Sequence, residues 1–118
     1  ARMNINILEH NLDIHVIELG GRLDAFTVGT LRDLQTRYAA EDSPQIILDL
    51  TETTFMDSAW ISALVSLLKA AKKVGGNVIL VPPRDGAALN ILKITRFDQV
   101  FTMEKSVKEA LDRFYFDD

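Results

Sequence analysis

Apolar and polar positions follow two different periods along the chain, and the changes of period divide it into strands and helices. Two early segments rich in Ile and Val, Met3–Leu8 and Leu12–Leu19, predict strands. The polar residues 9–11 between them have the length of a hairpin connection, so the two strands should pair antiparallel. Gly20-Gly21 then permits a bulge or bend at the end of the second strand.

Helical spacing of apolar residues begins after this bend. Leu31, Leu34 and Tyr38 recur at helical intervals and predict a first helix over residues 27–40. The clearest helix covers residues 58–74 and ends before Gly75-Gly76. Its apolar stripe is formed by Ile61, Leu64, Val65, Leu68 and Ala71.

The long helix lies between two apolar segments, Gln45–Leu50 and Asn77–Val81, which predict buried strands. A strand–helix–strand unit of this kind connects parallel strands, so the sheet should be mixed. The remaining segments predict a helix, a short edge strand and a final helix over Ala87–Ile94, Gln99–Phe101 and Ser106–Phe114. The predicted fold is a single α/β domain over residues 3–116 with the element order ββαβαβαβα.

Composition narrows the possible functions. The chain has 118 residues and 47% hydrophobic content, enough for one core, and it has no cysteine for a disulfide, a thiolate metal site or a thiol nucleophile. A net charge of -4 argues against nucleic acid and membrane surfaces as partners. No apolar stretch approaches the ~20 residues that a bilayer span needs. We expect a cytoplasmic protein without a cofactor or a metal.

The junction between the first buried strand and the long helix carries Asp57 and Ser58. The first N–H groups of a helix lack internal partners, and the helix dipole adds positive charge there, so the junction suits an anion such as a phosphate on Ser58. A purely structural interpretation is also open, because Asp and Ser are favoured N-cap residues and Asp57 could accept hydrogen bonds from the first-turn amides. Loops at the carboxyl ends of parallel strands collect ligands and partners, which predicts that both residues are displayed.

Three motifs resemble the STAS domain family, the bacterial anti-sigma-factor antagonists. Residues 47–50 and 55–59 resemble its hydrophobic-D-L and D-S signature, residues 21–24 its G-x-[LI]-D motif, and residues 92–101 its later L-x-[LI]-T-G-[LF]-D-x-x-F motif. The motifs occur in the family's order and cover nearly the whole chain. Family members share the element order predicted above.

The resemblance implies a phosphorylation switch rather than an enzyme. In the family, an ATP-dependent serine kinase that is also the anti-sigma factor phosphorylates the Ser of the D-S motif. The unphosphorylated form binds this kinase and frees a sigma factor, and a phosphatase resets the switch. Ser58 matches the phosphorylated residue, and the expected partner-binding residues are Asp24, Asp57, Ser58 and Trp60.

Two positions depart from the family pattern. Trp60 stands where the family has Gly after D-S-x, and Arg96 stands at the Gly of the later motif. An indole in the first turn of the helix is either packed onto the neighbouring loop or exposed as an interface anchor. A partner that approaches a Gly in other members would meet Trp60 here.

Other interpretations compete with the switch. Asp24 and Asp57 could form a carboxylate pair for acid–base catalysis, although no His lies near either in sequence. His10 in a turn and His15 in a strand lack a matching acidic set, which argues against a metal site. A non-phosphorylated subunit of a transporter or stress-sensing complex is a third possibility. The aromatic residues interpreted as core and packing residues are Phe26, Phe97, Phe101, Phe114 and Tyr115.

Overall fold

The computed structural model describes residues 2–11 and 14–116, which form a mixed sheet with helices on both faces. The strands are β1 (Asn4–Asn11), β2 (Ile14–Leu23), β3 (Gln45–Asp49), β4 (Thr53–Met56), β5 (Asn77–Val81) and β6 (Thr102–Met103). The helices are α1 (Val28–Ala39), α2 (Ser58–Lys73), α3 (Gly86–Ile94) and α4 (Val107–Phe116). Among the described residues, no helix combines the length and the apolar character needed to cross a bilayer.

The sheet order is β1-β2-β3-β5-β6, and β4 pairs with the end of β2. The β1 and β2 strands pair antiparallel, and the other pairs are parallel, which confirms the mixed α/β sheet. The β2 strand changes partner along its length. Residues 14–18 pair with β3, and residues 21–23 pair with β4 after an irregularity at Gly21. The glycine pair therefore marks a bulge, as predicted.

Backbone approach explains why Gly21 is required at that bulge. Its φ is +80°, and a Cβ placed there would lie 2.1 Å from the carbonyl oxygen of Arg2. A larger residue would need both a left-handed backbone conformation and displacement of the segment before β1.

Three predicted boundaries are wrong. Residues 9–11 belong to β1 rather than to the hairpin connection, and predicted strand residue Leu12 lies outside the described residues. The expected loop Thr51–Asp57 contains β4, whose buried Thr53 donates its hydroxyl hydrogen to Leu19 O at 2.8 Å. The edge strand lies at Thr102–Met103 instead of Gln99–Phe101, because a 3₁₀ turn over Phe97–Gln99 intervenes.

The apolar side chains form one packed layer on each face of the sheet. The larger layer includes Leu31, Leu34 and Tyr38 of α1 and the apolar face of α2. That face is rotated from the predicted stripe: Ile61 and Val65 are only partly buried, while Trp60 and Leu67 are fully buried. The smaller layer packs α4 against Ile47 and Ile79 on the opposite face. The site described below lies on the α1–α2 side, away from α4.

His15 has acidic neighbours that the sequence did not predict. Its buried ring places Nδ1 against a Glu9 carboxylate oxygen and Nε2 2.6 Å from Glu41 Oε1, and it stacks on Tyr38 with 4.4 Å between ring centroids. The metal interpretation of His15 gains no support from this pair, because no group of three such side chains that could hold a metal ion occurs among the described residues. Glu41 is distant in sequence and approaches His15 only because α1 packs across the sheet.

Candidate functional site

Asp57 caps α2 and fixes where the helix begins. Its backbone is extended, and its Oδ1 accepts hydrogen bonds from Ala59 N at 3.0 Å and Trp60 N at 3.2 Å. These amides belong to the first turn, where no carbonyl of the helix is available to them. The capping role predicted for Asp57 is thus present in the structure.

The same carboxylate also binds the loop that follows β2. Asp57 Oδ2 accepts a hydrogen bond from Ala25 N at 2.8 Å. A return bond runs between the strands, from Asp57 N to Leu23 O at 3.1 Å. One side chain therefore holds the loop 24–27 against the start of α2, and the predicted neighbours Asp24 and Asp57 lie in one local structure.

Asp24 organises the loop itself. Its Oδ1 accepts a hydrogen bond from Phe26 N at 3.0 Å, and its Oδ2 lies 3.5 Å from Arg22 Nε. Together, three of the four carboxylate oxygens of Asp24 and Asp57 accept backbone amide hydrogens and the fourth faces a cation. Carboxylates held in this way position backbone, and the acid–base catalytic interpretation gains no support from their contacts.

Trp60 lies beneath the loop rather than on the surface. Its side chain is fully buried, and its Nε1 donates to Asp24 O at 2.8 Å and to Thr27 Oγ1 at 3.0 Å. The exposed-anchor interpretation is therefore wrong, because the indole fills the space between α2 and the loop 24–27. Direct contact between a partner and Trp60 does not fit this burial, so Trp60 can shape the surface only from below.

Ser58 is the first residue of α2, and it is exposed. Its neighbours in the first turn are not acidic, and the basic residues Lys72 and Lys73 occupy the opposite end of the helix. The partial positive charge of the helix N-terminus therefore meets Ser58 without a competing acidic side chain in that turn other than the cap.

Two aromatic residues that were predicted to be core and packing residues are exposed: Phe26 is 97% exposed and Tyr115 is 49% exposed. Phe97 and Phe101 do lie in the core, and their ring centroids are 5.0 Å apart. The sequence did not indicate the exposure of Phe26, because the orientation of its side chain follows from loop amides that donate to Asp24 and Asp57.

Comparison with known proteins shows the family of the chain. The family model described as STAS domain matches residues 6–110. A curated relative, the anti-sigma-B factor antagonist of Staphylococcus epidermidis, is 27% identical over 79 residues, which are 67% of this chain and 72% of that protein. The anti-sigma-B factor antagonist of Staphylococcus aureus is 32% identical over 69 residues, 58% of this chain and 64% of that protein.

Solved structures share the fold. The anti-sigma factor antagonist SpoIIAA in its unphosphorylated form aligns with a TM-score of 0.76 and 23% identity, over 96% of this chain and 99% of that one. The Bacillus cell fate determinant SpoIIAA in its phosphorylated form aligns with a TM-score of 0.75 and 23% identity, over 94% and 99%. The element order and the mixed sheet are thus those of a known fold.

Proposed function

Because this chain belongs to the STAS domain family, we propose that it is an anti-sigma-factor antagonist whose binding to an anti-sigma factor is switched by phosphorylation of Ser58. The observation that carries the proposal is the exposed residue Ser58 at the N-terminus of α2, directly after a capping Asp57. Relatives named anti-sigma-B factor antagonists support the partner class.

The binding form in this proposal is the unphosphorylated one. The partner is an anti-sigma factor with serine kinase activity, which contacts Asp24, Asp57 and Ser58 at the loop 24–27 and the start of α2. When this chain binds the anti-sigma factor, the anti-sigma factor releases its sigma factor for transcription. Trp60 contributes by fixing the loop from below, since its indole is buried.

Phosphorylation reverses binding through charge and bulk. A phosphoserine carries about -1.5 to -2 charge, and the helix N-terminus accommodates it without refolding. At the interface, one unit charge about 4 Å from a like charge on the partner costs roughly 1–4 kcal/mol. This corresponds to roughly a five-fold to several-hundred-fold loss of affinity, which is enough for a switch. A phosphatase returns the protein to its binding form.

Phosphate transfer to a defined residue tests the proposal. The protein is incubated with ATP and the anti-sigma factor kinase of the same genome, and intact-mass and peptide mass spectrometry locate the phosphate. We expect one phosphate on Ser58 and none on the Ser58→Ala variant. Ser62→Ala is the matched control, because Ser62 is exposed one turn further along α2 and should not affect transfer.

The contrary outcomes are informative. Phosphorylation of Ser58→Ala by that kinase would show that the assigned residue is wrong. Tight binding without any phosphate transfer would indicate instead a non-phosphorylated STAS subunit of a larger complex. Absence of both binding and transfer would overturn the proposed function.

A further inference from the structure

Phe26 presents an almost fully exposed phenyl ring on the loop 24–27, beside the proposed switch. Its side chain is 97% exposed, more than any other large apolar side chain among the described residues. Burial of a Phe side chain is favourable, so the exposed ring can contribute to the free energy of association. The ring is also large and stiff, which suits a hot-spot residue.

The loop that carries this ring is firmly held. Three consecutive amides donate hydrogen bonds: Ala25 N to Asp57 Oδ2, Phe26 N to Asp24 Oδ1, and Thr27 N to Asp24 O at 3.0 Å. The buried indole of Trp60 donates to the same carbonyl and to the Thr27 hydroxyl. Because the backbone on both sides of Phe26 is already ordered, binding through the ring loses little conformational entropy.

The loop is tied to the residue that precedes Ser58. Ala25, next to Phe26, is hydrogen-bonded to Asp57, and Asp57 is followed at once by Ser58. A protein surface that reaches the Ser58 hydroxyl therefore meets the loop carrying Phe26. A second copy of this chain is a poorer occupant, because a copy seated on Phe26 would obstruct access to Ser58.

We propose that Phe26 is the hydrophobic anchor for the anti-sigma factor, inserting its ring into an apolar pocket that borders the partner's binding site for Ser58. This inference rests on the proposed function. The two residues then have different roles. Phe26 supplies affinity in the unphosphorylated form, and the phosphorylation state of Ser58 controls whether the ring can reach its pocket. The partner pocket should be apolar and about the size of a phenyl ring, with polar groups along the side that faces Asp24.

Calorimetric binding of Phe26→Ala to the same anti-sigma factor kinase tests the anchor. A hot-spot truncation lowers affinity at least about thirty-fold, the factor that corresponds to ~2 kcal/mol. Phe26→Leu should recover part of the loss. Phe116→Ala is the matched control, because Phe116 is 79% exposed on α4, which packs on the opposite face of the sheet, and it should bind like the unmodified protein.

The kinetics of phosphate transfer provide a second test of the anchor. In phosphate transfer, Phe26→Ala should raise KM with little change in kcat, because the ring supplies binding rather than chemistry. The same loss of affinity should occur in the Ser58→Ala background, where no phosphate can form. Thermal melts of each variant check that the fold is intact.

The outcomes separate this inference from the proposed function. If the unmodified protein binds the kinase and Phe26→Ala binds equally well, the anchor is wrong and the proposed function stands. If the unmodified protein does not bind, the proposed function itself fails. If sedimentation shows a dimer that Phe26→Ala abolishes while kinase binding is unchanged, Phe26 serves a second copy and the inference is overturned.

Discussion

Single side chains show where burial and hydrogen bonding conflict. The Tyr38 hydroxyl is buried and has no hydrogen-bond partner among the described residues. Burial raises the pKa of Tyr38 to about 12, with the negative charges of Glu9 and Glu41 adding to the shift and Arg37 opposing it. A buried hydroxyl without a partner costs roughly 1–3 kcal/mol, so this residue stabilises the fold by its ring and weakens it by its oxygen.

We predict that Tyr38→Phe raises the free energy of unfolding at pH 7 by about 1 kcal/mol, because the substitution removes only the unpaired hydroxyl. The pH dependence has a defined sign. The unfolded chain loses the Tyr38 proton near pH 10 and the folded chain near pH 12. The stability that the neutral hydroxyl contributes below pH 10 is therefore lost as the pH rises from about 10 to about 12.

Urea unfolding at pH 9 and pH 11 measures this effect. The unmodified protein should lose about 1.4 kcal/mol more than Tyr38→Phe over this interval, because one proton is released on unfolding. Other ionisable groups are common to both proteins and cancel in the difference. Identical pH profiles would contradict the raised pKa of Tyr38.

Residue-level departures from the family motif have different physical consequences. Arg96 has a φ of 57°, the left-handed region where Gly is relaxed and an L side chain is strained. The family Gly at this position is therefore explained by backbone conformation. Trp60 replaces the other Gly inside a regular helical turn, so its effect comes from its side chain, which holds the loop 24–27.

At the scale of secondary structure, Asp57 joins two elements with one carboxylate. Its Oδ1 caps α2 and its Oδ2 holds the loop 24–27 through Ala25 N. Sequence reasoning identified the cap, because Asp before a helix is a recognised pattern. The second contact depends on β4 pairing with the end of β2, which brings Leu23 beside Met56.

Asp57→Ala and Asp57→Asn should separate the two contacts. The Ala variant loses both and should be destabilised by about 2–4 kcal/mol, the sum of a cap and a charge-assisted hydrogen bond. The Asn variant keeps an oxygen for the cap but turns an amide donor toward Ala25 N, so it should lose about 1–2 kcal/mol.

Amide hydrogen exchange distinguishes these effects by residue. The Ala25 amide should exchange faster in both variants, whereas the Ala59 and Trp60 amides should exchange faster only in Asp57→Ala. Equal exchange of Ala59 in the two variants would show that the Asn oxygen does not preserve the cap.

For the whole molecule, the proposed switch requires binding to change while the fold does not. Ser58 begins α2 at the surface, and the core that supports α2 consists of the residues buried on its other side. A negative charge at this helix terminus stabilises the helix by ~0.3–1 kcal/mol. The two layers of side chains on the sheet are not touched by the change.

We predict that Ser58→Asp shifts the melting temperature by no more than a few degrees while lowering affinity for the anti-sigma factor roughly five-fold or more. Ser62→Asp adds the same charge one turn along α2 and should reduce affinity less. Thermal melts paired with calorimetric titration measure both properties. Unchanged binding by Ser58→Asp, or an unfolded variant, would contradict a switch based on charge at an intact surface.

Local patterns along the chain were sufficient to predict most of the secondary structure and the family. Periodicity of apolar residues located α1, α2, β3 and β5, and the strand–helix–strand arrangement required parallel pairing. The Asp57-Ser58 junction was visible because helix starts have a recognisable cap residue. Three motifs in order indicated the family.

Other features depend on contacts between residues that are distant in sequence, and only the folded chain shows them. The short strand β4 exists because its residues pair with the end of β2, and four residues are too few to predict a strand from the sequence. Trp60 is buried because the loop 24–27 covers it, and Phe26 is exposed because the amides around it are bound by Asp24 and Asp57. Side-chain burial at a surface loop depends on which backbone groups form hydrogen bonds with distant parts of the fold. A local sequence pattern does not contain information about those distant partners.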